Sequence, residues 1–368
     1  MKHLKNKSIV FKLSSLAVTN ADGGINHHQM NQVVNDIISL KQRYSIRPVI
    51  VTSGAINAGQ PVFGITDSED MATLQASSSV GQLLLMKAFY EKFLKKAQHI
   101  SQLLLTHEDL KSKKRSLNTN NTLNALLNAG IIPIVNENDT VSFDEITFGD
   151  NDQLSAMICE MIGAESLVLL TKANGLYDRD PEESKAIRFS EISYDDSFEN
   201  ILTITKSTRG KGGMKTKLRA VRKLTPLGIN VYISTFIGKN PIINALNKTN
   251  GTHFFANPNP GKLKKKSWIL TRAREHAIIS IDKGAADALL KNASLLPVGI
   301  KSVTGPFLRG DSVQIKCGRK IIAYGITEYS SKETDKIKKC KSSDLHRLLK
   351  HVPTRVVVHK DNLILKED

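Results

Sequence analysis

The chain has 368 residues, a length that favours two domains over one, and its 40% apolar content suffices for packed cores. Aromatic content of 5% argues against an extended sugar- or base-stacking surface, and no run approaches the roughly 20 apolar residues that span a bilayer. Three scattered cysteines, Cys159, Cys317 and Cys340, exclude a disulfide framework or zinc site, and the basic start MKHLKNK leads into a strand and not a secretory h-region, so the reading is cytoplasmic with no membrane attachment. The net charge of +17 is unevenly spread: residues 251–368 carry 23 Lys/Arg against 11 Asp/Glu. Such a surplus suits an anionic partner such as nucleic acid, or a merely solubilising surface.

In chain order, the first strand spans 8–13 (SIVFKL) and delivers Lys12 into a turn of two hydroxyl residues, Ser14 and Ser15. That arrangement is either an ordinary strand-end lysine or a phosphate site built without its usual glycine. Over 26–44, Met30, Val33, Val34, Ile37 and Ile38 recur at helical spacing. A strand at 47–52 (RPVIVT) leads to Ser53-Gly54-Ala55, small residues that let a ligand approach the backbone or simply turn the chain.

Next comes a strand at 131–135, followed by NENDTVSFDEITFGDNDQLSAMI at 136–158. Here Asp139, Asp150 and Asp152 keep company with Asn136, Asn138 and Asn151. One of them, Asp150 or Asn151, serves as a helix N-cap; the rest are free to bind an ammonium group or to orient lysines. The string does not match the calcium-loop pattern. The strand 166–171 ends at Thr171 and Lys172, and a turn-rich loop with Asn174, Gly175 and Asp180 follows. Gly210-Lys211-Gly212-Gly213-Met214-Lys215-Thr216-Lys217 fails the P-loop test at Met214, yet remains a glycine-rich, lysine-bearing turn onto a helix. A last strand of this half lies at 229–234.

At 256–266 the text changes to ANPNPGKLKKK, a linker signature. Short strand-like pieces punctuated by glycine follow (IISI, GIKSVTG, GDSVQIKCG, IIAYGITEY), then a lysine-rich helix expected over 332–350 and a strand at 354–365. Strands separated by helices in the first half imply parallel βαβ units with ligands at the strands' carboxyl ends. Lysines from two distant turns, with an acid and amide cluster from a third, favour phosphoryl transfer, which needs cations and positioning more than covalent help. The histidines His27, His28, His107 and His276 fall outside these turns and read as surface or helix-face residues.

These motifs together resemble the glutamate 5-kinases of the amino acid kinase family: KLSS (12–15), VTSGAINAG (51–59), the NEND…GDND pair (136–152), LLT..GLY..DP (169–181) and GGMKTK (212–217). IDKGAADALLKNASLLPVGIKSVTG (281–305), followed by RGDSVQI, is similar to that family's C-terminal PUA domain. The resemblance implies an amino acid kinase fold, a mostly parallel sheet sandwiched by helices, over 1–256. It then implies a linker at 257–266, a small β-barrel PUA domain at 267–350 and a final strand and tail at 351–368. It implies Lys12 and Lys217 as stabilisers of the transferring phosphoryl group and Asp152 as their organiser. Ser53, Asp139 and Asn151 would bind glutamate. Lys12, Thr171, Lys172, Lys211, Gly212, Gly213, Met214, Lys215, Thr216 and Lys217 would hold ATP. No residue is assigned as a metal ligand. Further implications are Mg²⁺, phosphorylation of the L-glutamate side chain, feedback inhibition by proline, RNA as a PUA partner, and a homodimer or homotetramer.

The chain departs from the family pattern in places. Ser14 stands where the family has glycine; at a positive φ it would carry about 1–2 kcal/mol of strain, and otherwise its N–H would face phosphate. Leu16 removes a hydroxyl, Lys172 replaces an aspartate, and Asn118-Thr119-Asn120-Asn121 lacks an arginine and an acid. A kinase of the same fold acting on another amino acid, and a catalytically weakened body with a regulatory or RNA-binding role, stay open as alternatives.

Overall fold

The structure, a computed structural model, describes residues 1–64, 70–141, 151–196, 213–260, 273–349, 352 and 354–366. The chain divides into two units, Met1–Leu110 with Thr119–Pro260 and Lys111–Asn118 with Gly261–Asp368. In the first unit the strands are β1 (Ser8–Leu13), β2 (Arg47–Val51), β3 (Ile100–Leu105), β4 (Ile132–Glu137), β5 (Ser166–Thr171), β6 (Glu191–Ile192), β7 (Asn230–Thr235) and β8 (Thr252–Phe254). Among the described residues they form one sheet in the order β3-β4-β2-β1-β5-β7-β8-β6. Every neighbouring pair is parallel except β7 with β8. The predicted strands are present, β4 running two residues further, through Asn136 and Glu137. Edge strand β3 has no counterpart in the sequence reading, because its half-polar ISQLLL is only partly buried.

Strand alternation decides which side each residue serves. Ile9, Phe11 and Leu13 of β1 pack into one core with Val168 and Leu170 of β5, while Val10 of β1 joins Leu167 and Leu169 in a second core. Helices α1 (Ser15–Val18), α2 (His27–Tyr44), α3 (Ala55–Gly59) and α4 (Met71–Leu94) contribute to the first core. Helices α5 (Asn151–Ile162) and α6 (Met214–Leu224) bury Leu154, Ile158, Leu218, Val221 and Leu224 in the second. Lys12 shares the parity of Val10, so it projects to the side that α5 and α6 cover.

The helix predicted over 26–44 starts at His27, and the Asn26 side chain caps it by accepting from Gln29 N–H at 3.0 Å. Helices α3 and α4 cross backbone to backbone: a Cβ on Gly59 would lie 1.8 Å from the Ser77 carbonyl oxygen, and one on Gly81 1.8 Å from that of Ala55.

In the second unit, β9 (Ala273–Ile281), β10 (Ile300–Thr304), β11 (Ser312–Cys317), β12 (Lys320–Thr327) and β13 (Val358–Leu365) form a five-stranded sheet in the order β10-β9-β11-β12-β13. Its core holds Ile279, Ile281, Val313, Ile315 and Tyr329. The expected helix over 332–350 is corrected: it spans only Ser331–Ile337, closed by a Ser330/Glu333 capping box, and Leu345–Leu348 forms a separate turn. The break comes at Lys338, which is extended, and Lys339, at φ 63°. It lets Ile337 and Leu345 both reach the core. Linker residues 261–266 lie outside the described residues.

Candidate active site

The site lies at the carboxyl ends of the central strands, and β1 provides its midpoint. Lys12 pairs in register with Val51 of β2 on one side and Leu169 of β5 on the other. Its Nζ lies 2.9 Å from Asp152 Oδ1, while Lys217 Nζ lies 3.0 Å from Asp152 Oδ2. Asp152 occupies the first turn of α5, a helix buried on most of its surface. Lys217 rides the buried face of α6 with Leu218, Val221 and Leu224. Asp152 has no exposed surface, and each lysine keeps only 5%. Thr216 Oγ1 adds a third donor to the carboxylate, 2.7 Å from Oδ2.

Burial alone would raise the Asp152 carboxyl. The Lys12 and Lys217 ammonium groups, with hydrogen bonds from Lys12 and Thr216, overcome it and bring the value down to about 2. The carboxylate is therefore ionised at neutral pH and acts as an anchor for two cations, not as a proton acceptor.

A second cluster lies on the β2–β4 side. Asn151 Nδ2 donates to the Thr52 carbonyl at 2.9 Å, to Ser53 Oγ at 2.9 Å and to Asn136 Oδ1 at 3.1 Å. Its amide is thereby engaged across the sheet, which corrects the expectation that Asn151 serves as an N-cap; the other candidate cap, Asp150, lies outside the described residues. Asn136 Nδ2 donates to Gln82 Oε1 at 2.8 Å, and Ser78 Oγ donates to Asp139 Oδ2 at 2.6 Å. Gln82 and Ser78 escaped the sequence reading. The signal was there: polar and small residues (Ser77, Ser78, Gly81, Gln82) occupy the buried positions of α4 that Leu74, Leu85, Phe89 and Phe93 otherwise fill.

On the β5–β7 side, Thr171 closes β5 and its carbonyl accepts from Phe236 N–H at 3.1 Å. Lys172 is exposed, and its carbonyl accepts from Thr235 Oγ1 at 3.2 Å. Gly213, Met214 and Lys215 lead into α6, with Lys215 exposed. Lys211 and Gly212 lie outside the described residues. Lys12, Asp152, Thr216 and Lys217 thus come together directly, as do Ser53 with Asn151 and Asp139 with Ser78.

The expectations for Ser14 are corrected here. Ser14 has φ −68° and ψ 162°, ordinary extended geometry, so the missing glycine costs no strain; and its N–H donates to the Leu170 carbonyl at 3.1 Å and does not face a ligand. His107 opens a short helix, His107–Lys111, in keeping with a helix-face residue, and its Nε2 lies 3.5 Å from the buried carboxylate of Glu137, beside Asn136. Cys159, Cys317 and Cys340 are free thiols. Among the described residues no group of three or more His, Cys, Asp or Glu side chains could hold a metal ion, and no helix is long and apolar enough to cross a membrane.

Residues 7–234 match the amino acid kinase family and residues 277–349 match the PUA domain. The chain is 38% identical to a glutamate 5-kinase of Caldanaerobacter subterraneus subsp. tengcongensis, covering 98% of each chain. It is 39% identical to the glutamate 5-kinase of Dictyoglomus turgidum over 98% of this chain and 97% of that one. It is 34% identical to that of Hydrogenovibrio crunogenus, over 99% and 98% respectively. With this likeness extending along nearly the whole sequence, the chain belongs to the amino acid kinase family, among its glutamate 5-kinases.

Proposed function

We propose that the chain transfers the γ-phosphoryl group of ATP to the side-chain carboxylate of L-glutamate, forming L-glutamyl 5-phosphate and ADP, the first step of proline biosynthesis. The observation that carries this reading is the buried Lys12–Asp152–Lys217 arrangement at the carboxyl ends of β1 and its neighbours. A carboxylate attacking a phosphoryl group is already ionised at neutral pH, so no general base is required. The obstacle is the approach of one anion to another. Two ammonium groups held by one carboxylate answer it: they meet the charge that spreads over the equatorial oxygens as the new O–P bond forms and the bond to ADP breaks. Asp152 keeps both lysines aimed without entering the reaction.

Ser53, Asn151 and Asp139 hold the amino acid, the carboxylate of Asp139 suiting its ammonium group. Thr171, Lys172 and the Lys211–Lys217 segment hold the nucleotide. Mg²⁺ would arrive on the triphosphate oxygens, whose charge it neutralises when bound; with Asp152 committed to two lysines, the ion is best carried by the phosphates.

The test is hydroxamate formation from glutamate and hydroxylamine, measured with ATP and Mg²⁺, with and without proline. ATP-dependent product that disappears in Lys12→Ala and Lys217→Ala supports the mechanism; unchanged rates in both would overturn it. Inhibition by proline, assembly into dimers or tetramers and a cytoplasmic location belong to the same proposal. The basic surplus of residues 251–368 supports a second property, RNA binding through the PUA domain; its affinity should fall steeply with salt.

A further inference from the structure

The amide cluster beside Asn151 has a fixed polarity. The Thr52 carbonyl can only accept, so the side of the Asn151 amide that meets it at 2.9 Å is the NH₂. The same NH₂ donates to Asn136 Oδ1, which turns the Asn136 NH₂ toward Gln82 Oε1. The relay therefore ends with Gln82 presenting its own NH₂. Gln82 is 8% exposed and its Nε2 is buried without a hydrogen-bond partner; at the opposite end, Asn151, 1% exposed, has Oδ1 buried without one. Native proteins leave few buried polar groups unpaired, and two in one three-residue relay, one donor and one acceptor, ask for a ligand that supplies the converse pair.

Resting on the reading of the substrate as an acidic amino acid, we propose that Gln82 is a substrate-binding residue whose free Nε2–H donates to the non-reacting α-carboxylate. The zwitterionic head of an α-amino acid supplies the complement of what the relay lacks, an ammonium donor and a carboxylate acceptor one carbon apart. Asn151 Oδ1 and the Asp139 carboxylate take the ammonium. Gln82 takes the carboxylate next to it, while the side-chain carboxylate extends toward Lys12 and Lys217. One helix organises both halves of this recognition. Ser78, one turn before Gln82 on α4, holds Asp139, and the backbone contact at Gly81 presses that face against α3.

Gln82→Glu keeps an oxygen to accept from Asn136 and turns the proposed donor into a negatively charged acceptor, which would repel the α-carboxylate. Gln82→Met removes both bonds at similar volume. In the full-length enzyme the KM for glutamate should rise about 10-fold or more in each, as expected for losing a hydrogen bond to a charged group, with the KM for ATP little changed. Wild type should discriminate strongly against 4-aminobutyrate, which lacks the α-carboxylate, and that discrimination should narrow in both variants. A purely structural glutamine would instead move both KM values together and leave the discrimination intact, which would sink the proposal. Thermal melts of the free proteins accompany the kinetics; if Gln82→Glu does not fold, Gln82→Met alone decides. A wild type that turns over glutamate while the variants keep its KM overturns the role of Gln82 alone. A wild type neither active on glutamate nor stabilised by it overturns the reading beneath.

Discussion

Asp152→Asn tests the electrostatic core of the site with one nearly isosteric change. In the wild type one carboxylate lies 2.9 Å from Lys12 and 3.0 Å from Lys217 in a place with no solvent exposure of its own. At an effective dielectric of about 20 each contact is worth roughly 5 kcal/mol of attraction, most of it opposed by the cost of burying the three charges. Removing the anion deletes both attractions and leaves the cost of burying the two lysine cations uncompensated, so the expected destabilisation is about 3–5 kcal/mol. That is a large part of the roughly 5–15 kcal/mol available to a folded domain. The rate should fall by about 10²–10³, because the lysines lose the anchor that keeps them aimed. Urea denaturation supplies the first number and hydroxamate formation the second. The double variant Asp152→Asn/Lys12→Met should be more stable than Asp152→Asn alone, since it removes a buried cation that has lost its partner. If Asp152→Asn stays within about 1 kcal/mol of wild type and keeps most of its rate, the lysines do not depend on this carboxylate and the reasoning fails.

Three further outcomes are expected. Asp36, buried on α2, accepts from the backbone N–H groups of Ile242 at 2.9 Å and Ile243 at 3.2 Å, and burial raises its carboxyl to about 6. The folded state therefore binds this proton more tightly than the unfolded chain, so stability should decline as pH rises from about 4 to 6; urea melts across that window should lose this slope in Asp36→Asn. Gly81→Ala would place a Cβ 1.8 Å from the Ala55 carbonyl, forcing α3 and α4 apart; a loss above about 2 kcal/mol and a higher KM for glutamate should be measured, because Ser78 and Gln82 ride the same helix. Ser14→Gly has no strain to relieve at φ −68°, so it should leave kcat near wild type and cost up to about 1 kcal/mol through the freer unfolded chain. A large gain in kcat would show that the serine does hinder the site.

The sequence exposed most where physics writes locally. Apolar β-branched runs mark strands, the 3.6-residue period marks α2, and the strand-end lysine, the acid and amide cluster and the glycine-rich turn each follow a strand or begin a helix. What stayed hidden are contacts between residues far apart in the chain. Gln82 meets Asn136 across 54 residues and Ser78 meets Asp139 across 61, and neither spacing leaves a periodic trace. The contact of His107 with buried Glu137 likewise depends on the pairing of β3 with β4, which sets Leu105 opposite Glu137. The lysine-rich stretch after residue 331 misled for a different reason. Its helical composition is overridden by two buried anchors, Ile337 and Leu345, which the chain joins through a break and not a continuous helix.

The glycine-free turn after Lys12 gains its explanation from the neighbouring strand. Ser14 continues the β1 ladder by donating to Leu170, so the turn needs no left-handed residue. The left-handed position belongs to Gly54, at φ 96°, where a Cβ would approach Val18, Ser15 and Thr19 of the first turn at 3.1–3.3 Å. The close approach is thus made between the short helix after β1 and the turn after β2, with the glycine on the β2 side. Lys12 then depends little on the shape of its own turn. Its direction comes from strand parity, and its position is fixed by the ion pair with Asp152. This division explains how the first turn can lose a glycine and a hydroxyl while the lysine it follows remains held: the ion pairs join residues 12, 152 and 217, and Ser14 and Leu16 lie outside them.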